Sequence, residues 1–281
     1  MGNIFYASSW GGTATSWLAK VLSIHEDLQC YHGTRHFEDS GNTEELTCLD
    51  FAKGLKARAK NGLWVGGIHG YHGSHMEKPI SDLGGSFGFL TRDPIQRISS
   101  LFNHHLSESQ KPQNHHNYKI MLDQFSRVNA DMIQYLVSLN CFPNIAENEQ
   151  ISTTDMELLF TWNVGHAMHF EASILASKAE TFKMEDYTTD PEHFKTLFNY
   201  FTQGYLTCSQ DYLDQVFAVG KTNTHRIERA SSLAEFYSWN KHNKMIFYVI
   251  MKCNAGLVDY YDAIGYPAIK QILNKIDGHQ V

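Results

Sequence analysis

Residues 4–18 read IFYASSWGGTATSWL: an apolar run, then Ser, Gly and Thr, then a helical pattern beginning at Trp17 and Leu18. A strand, a glycine turn and a helix start in that order gather backbone N–H groups and the positive end of a helix dipole at one point, which is how a chain cradles a phosphate. Gly11 and Gly12 allow close approach, and Thr13, Thr15 and Ser16, on either side of Ala14, add hydroxyl donors to the loop. The nucleoside-triphosphatase loop reads GxxxxGK[ST], and this one has neither that spacing nor the lysine. The alternative is a glycine turn that binds nothing.

Two further stretches carry chemistry. Residues 89–103 read FLTRDPIQRISSLFN, a strand that delivers Arg92 to its carboxyl end. Asp93 then suits an N-cap and Pro94 the first helical position. Ser100 follows Arg92 by eight residues. A guanidinium fork and a hydroxyl could share one phosphate; alternatively, Arg92 pairs with Asp93 or a helix end and Ser100 only packs. Residues 63–75 read LWVGGIHGYHGSH, a strand ending at His69. Imidazole titrates near neutrality, which suits a general base, and a backbone-bonded strand end is the alternative. His69, His72 and His75 have the spacing of a metal site, but a glycine-rich segment gives them no fixed face, so no metal is expected. His104, His105, His115 and His116 read as polar loop or acceptor-site residues.

The elements that must position these residues alternate. Strands are expected over 3–8, 28–31, 63–68, 86–91 and 181–184. Helices are expected over 16–24 and 44–60, from Pro94 through Phe102, from Pro191 through Tyr200, over 239–261 and over 268–276. Residues 104–178 read as a mostly helical insertion over the carboxyl edge of the sheet, with loops near 109–117 and 141–152. Residues 207–235 give no clear pattern. Alternation of this kind predicts a three-layer α/β/α fold around a mainly parallel sheet, with no composition break that divides residues 1–281 into more than one domain. The 281 residues carry a net charge of −7, which argues against general nucleic-acid binding, so an anion site has to be built from specific groups. No run of about 18 apolar residues predicts a membrane span. Cys30, Cys48, Cys141, Cys208 and Cys253 are scattered with no CxxC pair, and the chain enters a strand almost at once; both lead to an expectation of a cytoplasmic protein.

Together, the Gly-Thr loop and the strand–Arg-Asp-Pro–x5–Ser stretch resemble the sulfotransferases that use 3′-phosphoadenosine-5′-phosphosulfate (PAPS). HEDLQCYHGTRHF at 25–37 resembles the second strand of bacterial-type members. TFKMEDYTTDPEHFKTLFNYF at 181–201 resembles the family's strand, acidic turn and Asp-Pro helix, and Ile264-Gly265-Tyr266-Pro267 its end. The resemblance touches most of the chain. It implies a P-loop NTPase-like core, with residues 11–16 holding the 5′-phosphosulfate and Arg92 and Ser100 the 3′-phosphate. It also implies that His69 takes the acceptor's proton and that 3′,5′-adenosine bisphosphate is the product. The implied partner is a small-molecule or carbohydrate acceptor.

The sequence departs from the family at one point. A Lys or Arg usually stands two residues before the second glycine of the loop, and here Trp10 stands there. Lys20 is too far down the first helix. Lys221, Arg226 or Arg229, in VGKTNTHRIER at 219–229, could fold over the nucleotide, as a late basic loop does in the family; otherwise this is a solvated charged turn. Glu185 and Asp186 could orient His69 or cap a helix. Two other functions stay open: a non-catalytic nucleotide or glycan binder on the same fold, and an atypical P-loop kinase.

Overall fold

The computed structural model describes residues 3–33, 36–37, 45–69, 73–142, 153–220 and 231–278. In chain order the first elements are β1 (Ile4–Ser8), α1 (Thr15–Leu22), β2 (Leu28–His32), α2 (Cys48–Arg58), β3 (Trp64–Ile68), α3 (Glu77–Asp82) and β4 (Ser86–Thr91). Four helices follow: α4 (Pro94–Ser109), α5 (Pro112–Val128), α6 (Ala130–Ser138) and α7 (Thr153–Ala176). Then come β5 (Glu180–Lys183), α8 (Met184–Tyr187), α9 (Pro191–Phe201) and α10 (Gln210–Ala218). The last are α11 (Ser232–Ser238), α12 (Lys241–Lys252), α13 (Ala255–Ala263) and α14 (Ala268–Asp277). Among the described residues no helix is long and apolar enough to cross a membrane. The chain forms two compact units, residues 1–92 with 173–227, and residues 93–172 with 228–281.

The first unit is built on a five-stranded sheet in the order β2-β3-β1-β4-β5, with every pairing parallel. Side chains alternate across it. Phe5 and Ala7 face a core made with Trp17, Leu18, Phe198 and Phe201 from α1 and α9. Tyr6 turns the other way, edge-on to Phe51 of α2 with ring centroids 6.2 Å apart. Both faces are therefore covered by helices, as a parallel sheet requires. Gly66 is dictated by this packing, because a Cβ there would come within 2.0 Å of the Phe5 ring. Chain order reverses around β1: β3 and β2 lie on one side, β4 and β5 on the other. In such sheets ligands bind beyond the strand carboxyl ends at the reversal, and here the glycine loop leaves β1 at that place.

The second unit is helical. Its core gathers Ile98, Phe160, Val164, Trp239, Phe247, Tyr261 and Ile269. Within it Arg97, fully buried, is paired with the equally buried Glu171. Trp239 donates its indole N–H to Ser99 Oγ at 2.6 Å.

Several boundaries differ from the sequence expectation for local reasons. The expected loop at 109–117 shrinks to two residues, because Pro112 opens α5 rather than breaking a helix. The expected helix over 239–261 is two pieces. Asn240 caps α12 by accepting from the Asn243 N–H at 2.7 Å, and Cys253-Asn254 separates α12 from α13. The unreadable stretch 207–235 contains α10 and α11, each started by a serine cap, Ser209 and Ser231.

Candidate functional site

The glycine loop joins β1 to α1 as the sequence predicts. Gly11 and Gly12 have φ of 95° and 65°, the left-handed region that glycine tolerates. Ala14 sits in the same region, at φ 53°, and serves as the N-cap of α1 without a side-chain cap bond. A non-glycine residue held there costs about 1–2 kcal/mol, so the surroundings must impose it. They do so through hydrogen bonds to the loop's own carbonyls. Arg92, at the carboxyl end of β4 and only 6% exposed, donates from Nη1 to the Gly12 carbonyl at 2.9 Å. Tyr187, buried at the end of α8, donates its hydroxyl to the Thr13 carbonyl. Burial raises the Tyr187 phenol far above its ordinary pKa, so it stays a donor. Ser9 and Thr13 share a hydroxyl–hydroxyl bond, and the Gly11 N–H donates to Ser9 Oγ at 3.0 Å.

In a trans peptide the C=O of one residue and the N–H of the next point opposite ways. With the carbonyls of Gly12 and Thr13 held by Arg92 and Tyr187, the N–H groups of Thr13 and Ala14 are turned away from those two side chains. The first-turn N–H groups of α1 lie just beyond and lack intrahelical partners. The Thr13 and Ala14 amides are thus fixed by bonds on the opposite side of their peptide planes, an arrangement suited to an anion. Ser8 Oγ, fully buried at the end of β1, has no hydrogen-bond partner among the described residues.

His69 follows β3 and is half-buried. Its N–H donates to the Ala7 carbonyl at 3.2 Å and its carbonyl accepts from the Tyr6 hydroxyl at 2.8 Å, so the backbone is fixed at the same sheet edge as the loop. Its ring meets His32, the last residue of β2, with centroids 5.4 Å apart and planes at 75°. His32 Nε2 lies 3.0 Å from Thr15 Oγ1 and 3.3 Å from Ser16 Oγ. Burial lowers its pKa from the ordinary histidine value.

β3 and β4 are not adjacent in this sheet. β1 runs between them, so His69 and Arg92 flank the loop from opposite sides, about 10 Å apart at two strand spacings. Asp93 caps α4, accepting from the Gln96 N–H at 3.0 Å. Ser100 lies half-buried on α4 in the second unit. Trp10 is half-buried in the loop, and Lys20 is exposed in the last turn of α1. Asp186 pairs with Lys183 at 3.4 Å in the first turn of α8. Lys221, Arg226, Arg229 and His72 lie outside the described residues. His104 and His105 are on α4, and His115 and His116 on α5, all helical rather than in loops. Among the described residues no group of His, Cys, Asp and Glu is arranged to hold a metal.

A cleft of about 490 Å3 opens at the other end of the sheet, against Gly85, Ser86 and Phe87 at the start of β4 and Lys178 and Ala179 ahead of β5. Its position at strand amino ends separates it from the loop site. No family model matches the chain, and no curated protein matches it.

Two contributors were not legible as site residues. Tyr187 lies more than 170 positions from the loop it holds, and nothing local marks it. His32 had a signal, a polar residue closing an apolar strand in a sheet whose carboxyl ends carry the site.

The Tyr187→Phe variant should lose about 1–3 kcal/mol of stability in urea denaturation, because the buried Thr13 carbonyl is left without its donor. A midpoint equal to wild type would contradict this role.

Proposed function

We propose that this protein is a PAPS-dependent sulfotransferase on a P-loop NTPase-like core. Residues 11–16 hold the 5′-phosphosulfate, Arg92 and Ser100 hold the 3′-phosphate, and His69 is the base. The observation that carries the reading is the glycine loop whose carbonyls are bonded to Arg92 and Tyr187, leaving its amides for an anion. Sulfuryl transfer needs donors fixed around the transferring group and its leaving phosphate, a base for the acceptor's proton, and a grip that aligns the two. The loop amides and the hydroxyls of Thr15 and Ser16 supply the first, and His69 stands at the same edge for the second. The acceptor attacks sulfur as the bond from sulfur to the bridging oxygen breaks, the proton goes to His69, and 3′,5′-adenosine bisphosphate leaves. A cytoplasmic setting and a small-molecule or glycan hydroxyl as acceptor belong to the same reading.

Trp10, in the place of the usual lysine, favours a second reading: a nucleotide or glycan binder that has lost turnover. Tight bisphosphate binding with no sulfated product across a broad acceptor panel would select it.

Calorimetry tests the nucleotide. Wild type should bind 3′,5′-adenosine bisphosphate more tightly than AMP, and Arg92→Ala should weaken bisphosphate binding by about 1.5–3 kcal/mol, the range for a hydrogen bond to a charged group. Equal affinity for AMP and the bisphosphate would contradict the Arg92 role. The His69→Ala variant should bind nucleotide as wild type does and lose transfer of labelled sulfate from PAPS; full transfer by that variant rules out the base.

A further inference from the structure

We infer that His32, acting through Thr15 and Ser16, supplies the positive charge that the missing loop lysine would give to the anion site. It is a positioning residue for the reaction proposed above, on which this inference rests. One nitrogen, Nε2, lies within hydrogen-bond reach of both hydroxyls, at 3.0 Å and 3.3 Å. These are the two hydroxyls at the start of α1, where the loop amides end.

The direction of these bonds decides what the hydroxyls can do. When Nε2 carries no proton it accepts, and it draws a hydroxyl proton toward the ring. When Nε2 carries a proton it donates to the oxygen, and the hydroxyl protons are free to point at an anion. Anion binding therefore selects the ring form with a proton on Nε2. The imidazolium does this and also adds a charge. A donor that is ionised makes roughly twice as strong a bond as a neutral one.

The groups that face His32 are few. From α1 they are the Thr15 and Ser16 hydroxyls, and from β3 the His69 ring. Among the described residues no carboxylate or ammonium makes an ion pair or hydrogen bond with it. Burial alone depresses its pKa, which disfavours the charged ring in the free protein. An anion beside Thr15 and Ser16 favours the charged form and raises that pKa again. Binding then takes up a proton, and affinity rises as the pH falls through the pKa of the bound state. It levels off below the pKa of the free state. A lysine in the usual position would give no such dependence, because it is charged throughout this range.

The test is PAPS binding without acceptor, by calorimetry from about pH 8.5 to about pH 6, with wild type, His32→Gln and His69→Gln. The phosphosulfate keeps a fixed charge over this range, and titration of the 3′-phosphate is common to all three proteins. The ratio of wild-type to His32→Gln affinity should be near one at the upper pH and about tenfold or more at the lower, the effect of one pKa unit. The His69→Gln variant should keep the wild-type slope. Should His32→Gln fail to fold, His32→Asn takes its place, and heats in PIPES and Tris near neutral pH should show more proton uptake on binding by wild type than by the variant. A pH-independent ratio, a slope lost in His69→Gln instead, or equal proton uptake by wild type and variant overturns the role of His32 and leaves the nucleotide reading standing. Absence of PAPS and bisphosphate binding by wild type overturns that reading, and this inference with it.

Discussion

Two hydrogen bonds, from Arg92 to the Gly12 carbonyl and from Tyr187 to the Thr13 carbonyl, determine what the glycine loop can do. Each holds the rear of one peptide plane, and the front of that plane is an N–H group. A loop of this composition left to itself samples many orientations, since glycine fixes little. Held by a buried guanidinium and a buried phenol, it keeps Ala14 in a left-handed conformation that an alanine does not choose alone. Preorganised donors of this kind cost little to reorganise when charge arrives. The arrangement also gives Arg92 a structural part: it connects β4 to the loop after β1.

The sheet explains why these groups meet. Reversal of strand order around β1 puts the loop between β3 on one side and β4 on the other. His69 and His32 close one flank and Arg92 the other. Among the described residues the site has little formal charge: one arginine bonded to the loop, and two histidines, one of which burial biases against its charged form. With a net charge of −7 on the chain, an anion is attracted by local donors rather than by the protein's overall field. A histidine in contact with the loop hydroxyls fits that economy, because burial disfavours its charged form without a ligand and an anion favours it.

Much of the fold around the site was legible from local pattern. The β1–loop–α1 stretch, the strand ending at Arg92 and the Asp-Pro helix starts at 93–94 and 190–191 each carry their signal within a few residues, and the structure has all of them. The parallel sheet was legible from alternation, but its order was not, because strand order depends on contacts between distant segments. That is why neither the separation of His69 from Arg92 nor the part played by Tyr187 could be read from local pattern. The helical region was legible as helical but not in its divisions: Pro112 reads equally as a breaker or a starter, and Asn240 caps a helix within what reads as one apolar stripe. Nothing near His32 in the sequence marks its partners, Thr15 and Ser16, because they belong to a different element.

The account stands on the amides of the glycine loop being the groups that meet an anion. Backbone amide spectra of isotopically labelled protein, recorded as 3′,5′-adenosine bisphosphate is added, address this directly. The resonances of Thr13, Ala14, Thr15 and Ser16 should move together downfield and saturate with a single affinity. If those four stay still while other amides titrate, the anion binds elsewhere and the loop is a structural turn.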